Sequence, residues 1–396
     1  MPAGTQPTLT VLHSADWQIG KPYGRVSDPD KRSRLRQVRL DAIDRLAAVA
    51  AANQAAVVVV AGDLFDSPTP GNSDVSAVCA AIGRIGCPVL VIPGNHDHGG
   101  DGTIWQSALF ADEQRRRAAN LQVLLERQPL ELEDLVVLPC PLLQRHESED
   151  PCGWLNQLDW SSLPAAKPRL VLAHGGVSGF AATDLDDDNP ANTPNRIDLT
   201  AAWLDQVDYV ALGDWHGTKA VHAKAWYSGA LEPDRFARSD DYRSGQVLSV
   251  SLQRGAPPQV SPHGTGTTGW HGLTMALSDD DDLALLERRV DALLGDRVGE
   301  ELLLLELSGQ LSIGGQQQLD ALLERWTAQL LRLKLRNSVG LRADAAELEA
   351  LCQRDDAPLV ALVAQQLQRQ LLEQPADPGL TQALLELHRC VADACA

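Results

Sequence analysis

No CxxC pair occurs in this chain, and its seven cysteines, Cys79, Cys87, Cys140, Cys152, Cys352, Cys390 and Cys395, are an odd number. That argues against a disulfide framework and reads as buried or incidental thiols in a reducing compartment. Also missing is any apolar stretch near the roughly 20 residues of a membrane span. The opening MPAGTQPTLT has neither the basic nor the apolar region of a signal peptide. A cytoplasmic protein with no membrane association is the expectation. Positive charge is scarce as well: 34 Lys and Arg stand against 53 Asp and Glu, for a net charge of −19. Such a chain repels DNA at long range, so a nucleic-acid substrate would call for local basic patches. Two exist, one at Lys31, Arg32, Arg34, Arg36 and Arg39 and one at Arg115, Arg116 and Arg117. Each is either a phosphate channel or a solvated helix face. Much of the negative charge lies elsewhere, at Asp184 and Asp186 to Asp188 and in the run Asp279 to Asp282.

What is present is apolar and periodic. The 44% hydrophobic content excludes wholesale disorder, and 396 residues exceed what one core usually organises. The runs LTVL, AAVVVVAG, CPVLVIPG, PRLVLAHG and VDYVALG read as buried strands bounded by Gly or Asp. Helices are expected over 35–54 and 74–84, giving a β-α-β rhythm and hence an α/β fold. At the ends of these strands stand HSADWQIG, GDLFD, GNHDH, LAHGG and LGDWHG. Ligand sites in α/β sheets gather beyond the carboxyl ends of strands. The clusters supply Asp16, Gln18, Asp63, Asn95, His174, Asp214 and His216, an oxygen and imidazole set without a thiolate. That set suits Mn²⁺, Mg²⁺ or Fe²⁺. Seven ligands suffice for two ions sharing one carboxylate, and an ion pair roughly 3.5–4 Å apart clamps the oxygens of an in-line phosphoryl displacement. His13 reads as a hydrogen-bonding strand-end residue pointing away from Asp16, His98 as either a phosphate contact or a loop histidine, and Asp66 as either site support or a turn residue.

The order D-x-Q/H, GD, GNHD, H-G and GDxH resembles the calcineurin-like metallophosphoesterases, and within them the SbcD-type DNA repair nuclease subunit. HSADWQIG, GDLFD and YSGALEPDRF carry the latter likeness, which spans about residues 8 to 236. The resemblance implies a layered β-sandwich flanked by helices. It implies one divalent ion at Asp16, Gln18, Asp63 and His216 and another at Asp63, Asn95, His174 and Asp214, with Asp63 bridging. It makes His96 the group that contacts the scissile phosphate and protonates the leaving alkoxide, with Asp97 orienting its ring. Gln18 stands where a histidine is usual and Asp214 where the first histidine of GHxH is usual. The first is a weaker ligand and the second adds a negative charge, which together favour Mn²⁺ or Mg²⁺. DNA is the substrate the resemblance implies, with an SMC-like (SbcC-type) ATPase and a second copy of the chain as partners. A small nucleotide-type phosphodiester or monoester as substrate, or a scaffold with a weakened metal site, are the alternatives.

The divisions expected are a metallophosphoesterase domain over 1–255, a Pro-, Gly- and Thr-rich linker over 256–269, and a smaller C-terminal α+β domain over 270–396. The last shows strand, helix, strand, helix, strand and then mostly helical sequence. In LRLKLR, Leu331, Leu333 and Leu335 should face the core while Arg332, Lys334 and Arg336 face out. The resemblance makes this region a cap over the substrate and the docking place of the ATPase, for which Leu359, Leu362, Val363 and Leu367 are apolar candidates. Residues 178–196, without periodicity, read as a loop or lid beside His174.

Overall fold

The computed structural model describes residues 8–177, 194–237, 242–342, 345–354, 356–374 and 377–395. Most of the loop expected over 178–196 therefore lies outside the described residues. The chain divides into two compact units, Met1–Thr268 and Gly269–Ala396.

In the first unit the elements are β1 (Leu9–Ser14), α1 (Pro29–Ala52), β2 (Val57–Ala61), α2 (Asn72–Ile82), β3 (Val89–Ile92), α3 (Ala108–Arg117) and β4 (Leu121–Val123). They continue as β5 (Leu130–Glu131), β6 (Val136–Cys140), β7 (Arg169–His174), β8 (Gly176–Val177), β9 (Arg196–Ile197) and β10 (Tyr209–Gly213). The last four strands are β11 (Lys219–His222), β12 (Ala225–Tyr227), β13 (Gln246–Leu252) and β14 (Gln259–Gly264). One sheet runs β14-β13-β1-β2-β3-β4 and the other β11-β12-β10-β7-β6-β5. Strands β1 to β4 are mutually parallel, as are β6, β7, β10 and β12. This is the mixed α/β, two-sheet architecture expected.

Side-chain alternation builds the layers. Val57, Val59 and Ala61 of β2 meet Leu170, Leu172, Tyr209 and Ala211 between the sheets. Val58 and Val60 point the other way, onto Ala42, Ile43 and Leu46 of α1 and Val75 and Val78 of α2. Both faces being buried, these strands are continuously apolar rather than alternating. Val171, Val210 and Leu212 on the outer face of the second sheet pack with Leu155, Trp203 and Leu204. Helix α1 starts six residues before the expected Leu35. Asp28 caps it by accepting from the Asp30 and Lys31 amides, and Pro29 occupies the first turn.

Residues 256–269 differ from the linker expected: β14 lies there, antiparallel to β13 from Gln246↔Gly264 to Ser251↔Gln259. Pro262 is tolerated because β14 is an edge strand, where a missing N–H breaks no central ladder.

The second unit contains β15 (Trp270–Leu277), α4 (Asp282–Leu294), β16 (Leu302–Leu311), α5 (Ile313–Gln329) and β17 (Arg332–Leu341), followed by α6 (Ala345–Cys352), α7 (Pro358–Glu373) and α8 (Pro378–Cys395). The three strands are parallel in the order β15-β16-β17. Leu286 and Val290 of α4 and Leu319 and Trp326 of α5 cover Leu303, Leu305 and Leu307. Leu333 packs against this core, but Leu335, expected there too, stays 39% exposed because β17 is the sheet edge. Arg336 pairs with Glu306 of the neighbouring strand.

Candidate metal centre

Beyond the ends of β1, β2 and β10 the backbone turns sharply, in part through residues that are not glycine, whereas beyond β7 the turn falls on Gly175 (φ 149°). Asp16 (φ 54°), Gln18 (φ 43°), Asp63 (φ 55°) and Asp214 (φ 101°) all hold positive φ. Each such conformation costs about 1–3 kcal/mol, and such outliers concentrate at functional sites. The surroundings enforce them. The Asp16 amide donates to the Gly62 carbonyl (3.1 Å) and the Gln18 amide to the Asp63 carbonyl (2.8 Å), stitching the first loop to the second.

The motif glycines have a steric reason. A Cβ on Gly62 would lie 2.2 Å from His174 Nδ1, and one on Gly94 would lie 2.2 Å from Asp63 Oδ1. The strand ends therefore approach each other only where a side chain is missing.

The result is a buried convergence. One oxygen each of Asp16 and Asp63 and a ring nitrogen of His174 lie within 4.8 Å of one another. His174 Nδ1 donates to the Ala61 carbonyl (2.8 Å), leaving Nε2 to face the cluster, 3.0 Å from Asn95 Oδ1, 3.7 Å from Asp63 Oδ1 and 3.8 Å from Asp214 Oδ1. His216 is held in the same manner. Its Nδ1 donates to Asp234 Oδ2 (2.8 Å), and Nε2 lies 3.9 Å from Asp16 Oδ1 and 3.4 Å from Gln18 Nε2. Tying one ring nitrogen fixes the tautomer that presents a lone pair at the other, the arrangement of metal-ligating imidazoles. All seven residues named from the sequence thus stand in one connected cluster.

Its electrostatics are those of a cation site. Burial raises the Asp16 and Asp214 carboxyls above the usual range, and neighbouring carboxylates raise them further. Burial works against charge on His174, but Asp63, Asp214 and Asp16 outweigh it and lift its pKa to about 9. Burial lowers His216 to about 4, with Arg235 adding to the effect and Asp234 opposing it. Several buried carboxylates beside two oriented imidazoles, with no thiolate, form a donor set that fits divalent cations of the harder kind.

His96 stands at the edge. Its amide donates to Asp63 Oδ1 (2.9 Å), its Nε2 lies 4.0 Å from Asp63 Oδ2, and its side chain is one-third exposed. The ring is held by Asp66, whose carbonyl lies 3.1 Å and whose Oδ1 lies 3.8 Å from Nδ1. Asp97 was expected in that role and does something else. Its carboxylate accepts from the Gly94 amide (2.7 Å) and the Phe65 amide (3.0 Å), so it pins the GNHD turn to the GDLFD turn. Burial and Asp63 raise its pKa.

Three residues escaped the sequence reading of the site. Lys21 Nζ donates to Gln18 Oε1 (2.6 Å) and lies 3.1 Å from Asp234 Oδ2 and 3.8 Å from Asp66 Oδ1. Asp234 orients His216, and Arg235 lies beside the same ring. Arg39 of the first basic patch and the three arginines of the second serve the fold. Arg39 is 1% exposed and donates to the Trp17 carbonyl (2.8 Å), Tyr23 Oη (3.0 Å) and the Glu232 carbonyl (3.2 Å). Arg115 and Arg116 pair with Asp112, and Arg117 with Glu113, along α3 itself. His13 is buried between Tyr209 Oη and the Leu212 carbonyl.

Strand-end carboxylates and imidazoles around one point, with a half-open histidine alongside, define the class of metal-dependent phosphoesterases. The family model for calcineurin-like phosphoesterases matches residues 9–244, and the chain belongs to that family. Over 94 residues it is 33% identical to the SbcD component of the nuclease SbcCD from Bacillus subtilis (strain 168). That alignment covers 23% of this chain and 22% of the relative. A solved crystal structure covering 65% of this chain and 100% of its own is 13% identical, with a TM-score of 0.39. Among the described residues no helix is long and apolar enough to cross a membrane.

Proposed function

We propose that this chain is a metal-dependent phosphodiesterase acting on DNA, in the manner of an SbcD-type nuclease, with Mn²⁺ the preferred ion and Mg²⁺ or Fe²⁺ as substitutes. The observation that carries the reading is the convergence of Asp16, Asp63, Asn95, His174, Asp214 and His216 on one buried point with His96 at its rim. When bound, two divalent ions supply Lewis acidity toward the phosphate oxygens and an activated water. The chain's own residues do the rest. Asp63, with Oδ1 facing His174 and Oδ2 facing Gln18, stands between the two groups and would help to hold an ion on either side. The Ala61 carbonyl and Asp234 keep the two imidazoles in the tautomers that ligate. His96, its Nδ1 against the Asp66 carbonyl and its Nε2 turned toward Asp63, holds a proton at the rim for the departing alkoxide oxygen. The local identity to the B. subtilis nuclease component supports DNA as substrate, and with it an SMC-like ATPase and a second copy of the chain as partners. The first unit, Met1–Thr268, is the proposed nuclease domain and the second unit the capping and partner-binding one. In that unit Leu359, Leu362 and Val363 of α7 are exposed, which suits docking.

One observation favours a second reading. With Arg39 buried and Arg115 to Arg117 paired on their own helix, part of the first basic patch and all of the second are engaged within the fold, against a net charge of −19. A small phosphodiester needs no such patch. Mn²⁺-dependent cleavage of labelled single- and double-stranded DNA, with bis-p-nitrophenyl phosphate alongside and His96→Ala as control, separates the two. DNA cleavage lost in the variant supports the nuclease. Turnover of the small diester alone, with and without added ATPase, supports the second reading, and inactivity on both points to a scaffold.

A further inference from the structure

The two halves of the metal centre differ in what they offer an ion. Around His174 every group presents an acceptor. Asn95 Oδ1, Asp63 Oδ1 and Asp214 Oδ1 all lie within 3.8 Å of Nε2, and the opposite ring nitrogen is fixed by the Ala61 carbonyl. Around His216 one position is turned the wrong way. Lys21 Nζ carries donors only, so the atom of Gln18 that meets it at 2.6 Å must be the amide oxygen. The amide nitrogen is then the end that faces Asp63 Oδ2 (3.5 Å) and His216 Nε2 (3.4 Å). An amide N–H₂ has no lone pair for a cation, so Gln18 ligates only if it turns and gives up Lys21. The backbone does not help it turn, since Gln18 is locked at φ 43° by its amide bond to the Asp63 carbonyl. Nor does Lys21 leave readily. Asp234 holds its ammonium at 3.1 Å and Asp66 stands at 3.8 Å, with the side chain 23% exposed. A fixed positive charge thus sits beside the ion position that already lacks a ligand, and Coulomb repulsion through partly buried surroundings weakens cation binding there.

Resting on the metal-dependent reading above, we infer that the two ion positions are unequal. The position at Asp63, Asn95, His174 and Asp214 holds the resident ion. The position at Asp16, Gln18, Asp63 and His216 fills only at higher metal concentration, and Lys21 with Gln18 sets the difference. The chain then carries one ion at limiting metal, and its activity rises in a second step as the weaker position fills.

The test is a count of bound Mn²⁺ on the full chain stripped with chelator, by the electron paramagnetic resonance signal of the free ion. One Mn²⁺ per chain should bind first, with the second at least about tenfold weaker, the scale on which groups around a metal ligand change its affinity. Lys21→Met and Gln18→His should each strengthen the second step while leaving the first within about twofold. Circular dichroism and melting temperature check that both variants fold, and either one suffices. Two ions binding with equal affinity, or a gap unchanged in both variants, would overturn the inference and leave the metal-dependent reading intact. No Mn²⁺ bound at all would overturn both.

Discussion

The ring of His96 rests its Nδ1 against the backbone carbonyl of Asp66, 3.1 Å away, while the Asp66 carboxylate keeps a looser distance of 3.8 Å. The carbonyl survives any substitution of Asp66, and the carboxylate does not. His96→Ala should lower kcat by about 10²–10⁴, the usual contribution of a positioned acid or base, with Mn²⁺ stoichiometry unchanged. Asp66→Ala should cost no more than about tenfold, because the group nearer to the ring remains. Steady-state kinetics on bis-p-nitrophenyl phosphate compares the two. Equal losses would show that the carboxylate, not the carbonyl, holds the ring.

Asp234 reaches the metal centre through His216, whose Nδ1–H it accepts at 2.8 Å, and through Lys21, whose ammonium it holds at 3.1 Å. Its carboxyl is held well below the ordinary range by His216, Lys21 and Arg235 against the cost of burial, so it is an anion at any working pH. Asp234→Asn keeps the shape and removes the charge, freeing the ring to take the other tautomer. Loss of such a partner costs about 10–100-fold in metal affinity. Calorimetric titration with Mn²⁺ should show that loss in one binding step. A variant with wild-type affinity in both steps would mean that Asp234 serves only to anchor Lys21.

Arg39 and the arginines of α3 should respond in opposite ways. Arg39→Met strands the Trp17 and Glu232 carbonyls and Tyr23 Oη in the interior. Unfolding in urea should report a destabilisation of about 3–5 kcal/mol, as for other broken buried charge networks. Arg115→Ala and Arg116→Ala remove exposed pairs within one helix and should change stability by less than about 0.5 kcal/mol. If DNA binds, its salt dependence should be the same with or without those two side chains.

The sequence pattern carried the metal centre further than its surroundings. Asp16, Asp63, His174 and Asp214 were legible because each closes an apolar run, and parallel strands deliver such residues to one edge. Adjacency to His96 suggests a shared role for Asp97, whereas the turn geometry sends its carboxylate to the Gly94 and Phe65 amides. Lys21 and Asp234 carry no period and sit on irregular backbone, so nothing local marks them, although YSGALEPDRF was already notable as a segment. Arg39 did leave a signal. It falls on the stripe Leu35, Arg39, Ala42, Ile43, Leu46 and Ala50 that α1 buries, and the surrounding run of charge masked it. The strand β14 was hidden by its Pro and Gly content, which an edge strand tolerates and a central one does not.

His13 supplies a test of the fold that is separate from metal. Its ring is fully buried, accepting from Tyr209 Oη and donating to the Leu212 carbonyl, and desolvation lowers its pKa to about 3. In the unfolded chain the same ring titrates near its ordinary value of about 6.5. Between those values the unfolded state takes up a proton that the folded state refuses, so the folded state loses stability as pH falls through this window. Above the unfolded pKa the contribution is fully present. From pH 7.5 to pH 5 the loss from this one residue is about 2 kcal/mol. His13→Gln offers a donor and an acceptor to the same partners without a titrating ring. Urea unfolding at the two pH values should therefore show a smaller decline for the variant than for the wild-type chain, by about that amount. An equal decline in both would mean that the ring is protonated in the folded chain, and that the Tyr209 hydroxyl must then be turned to accept from it.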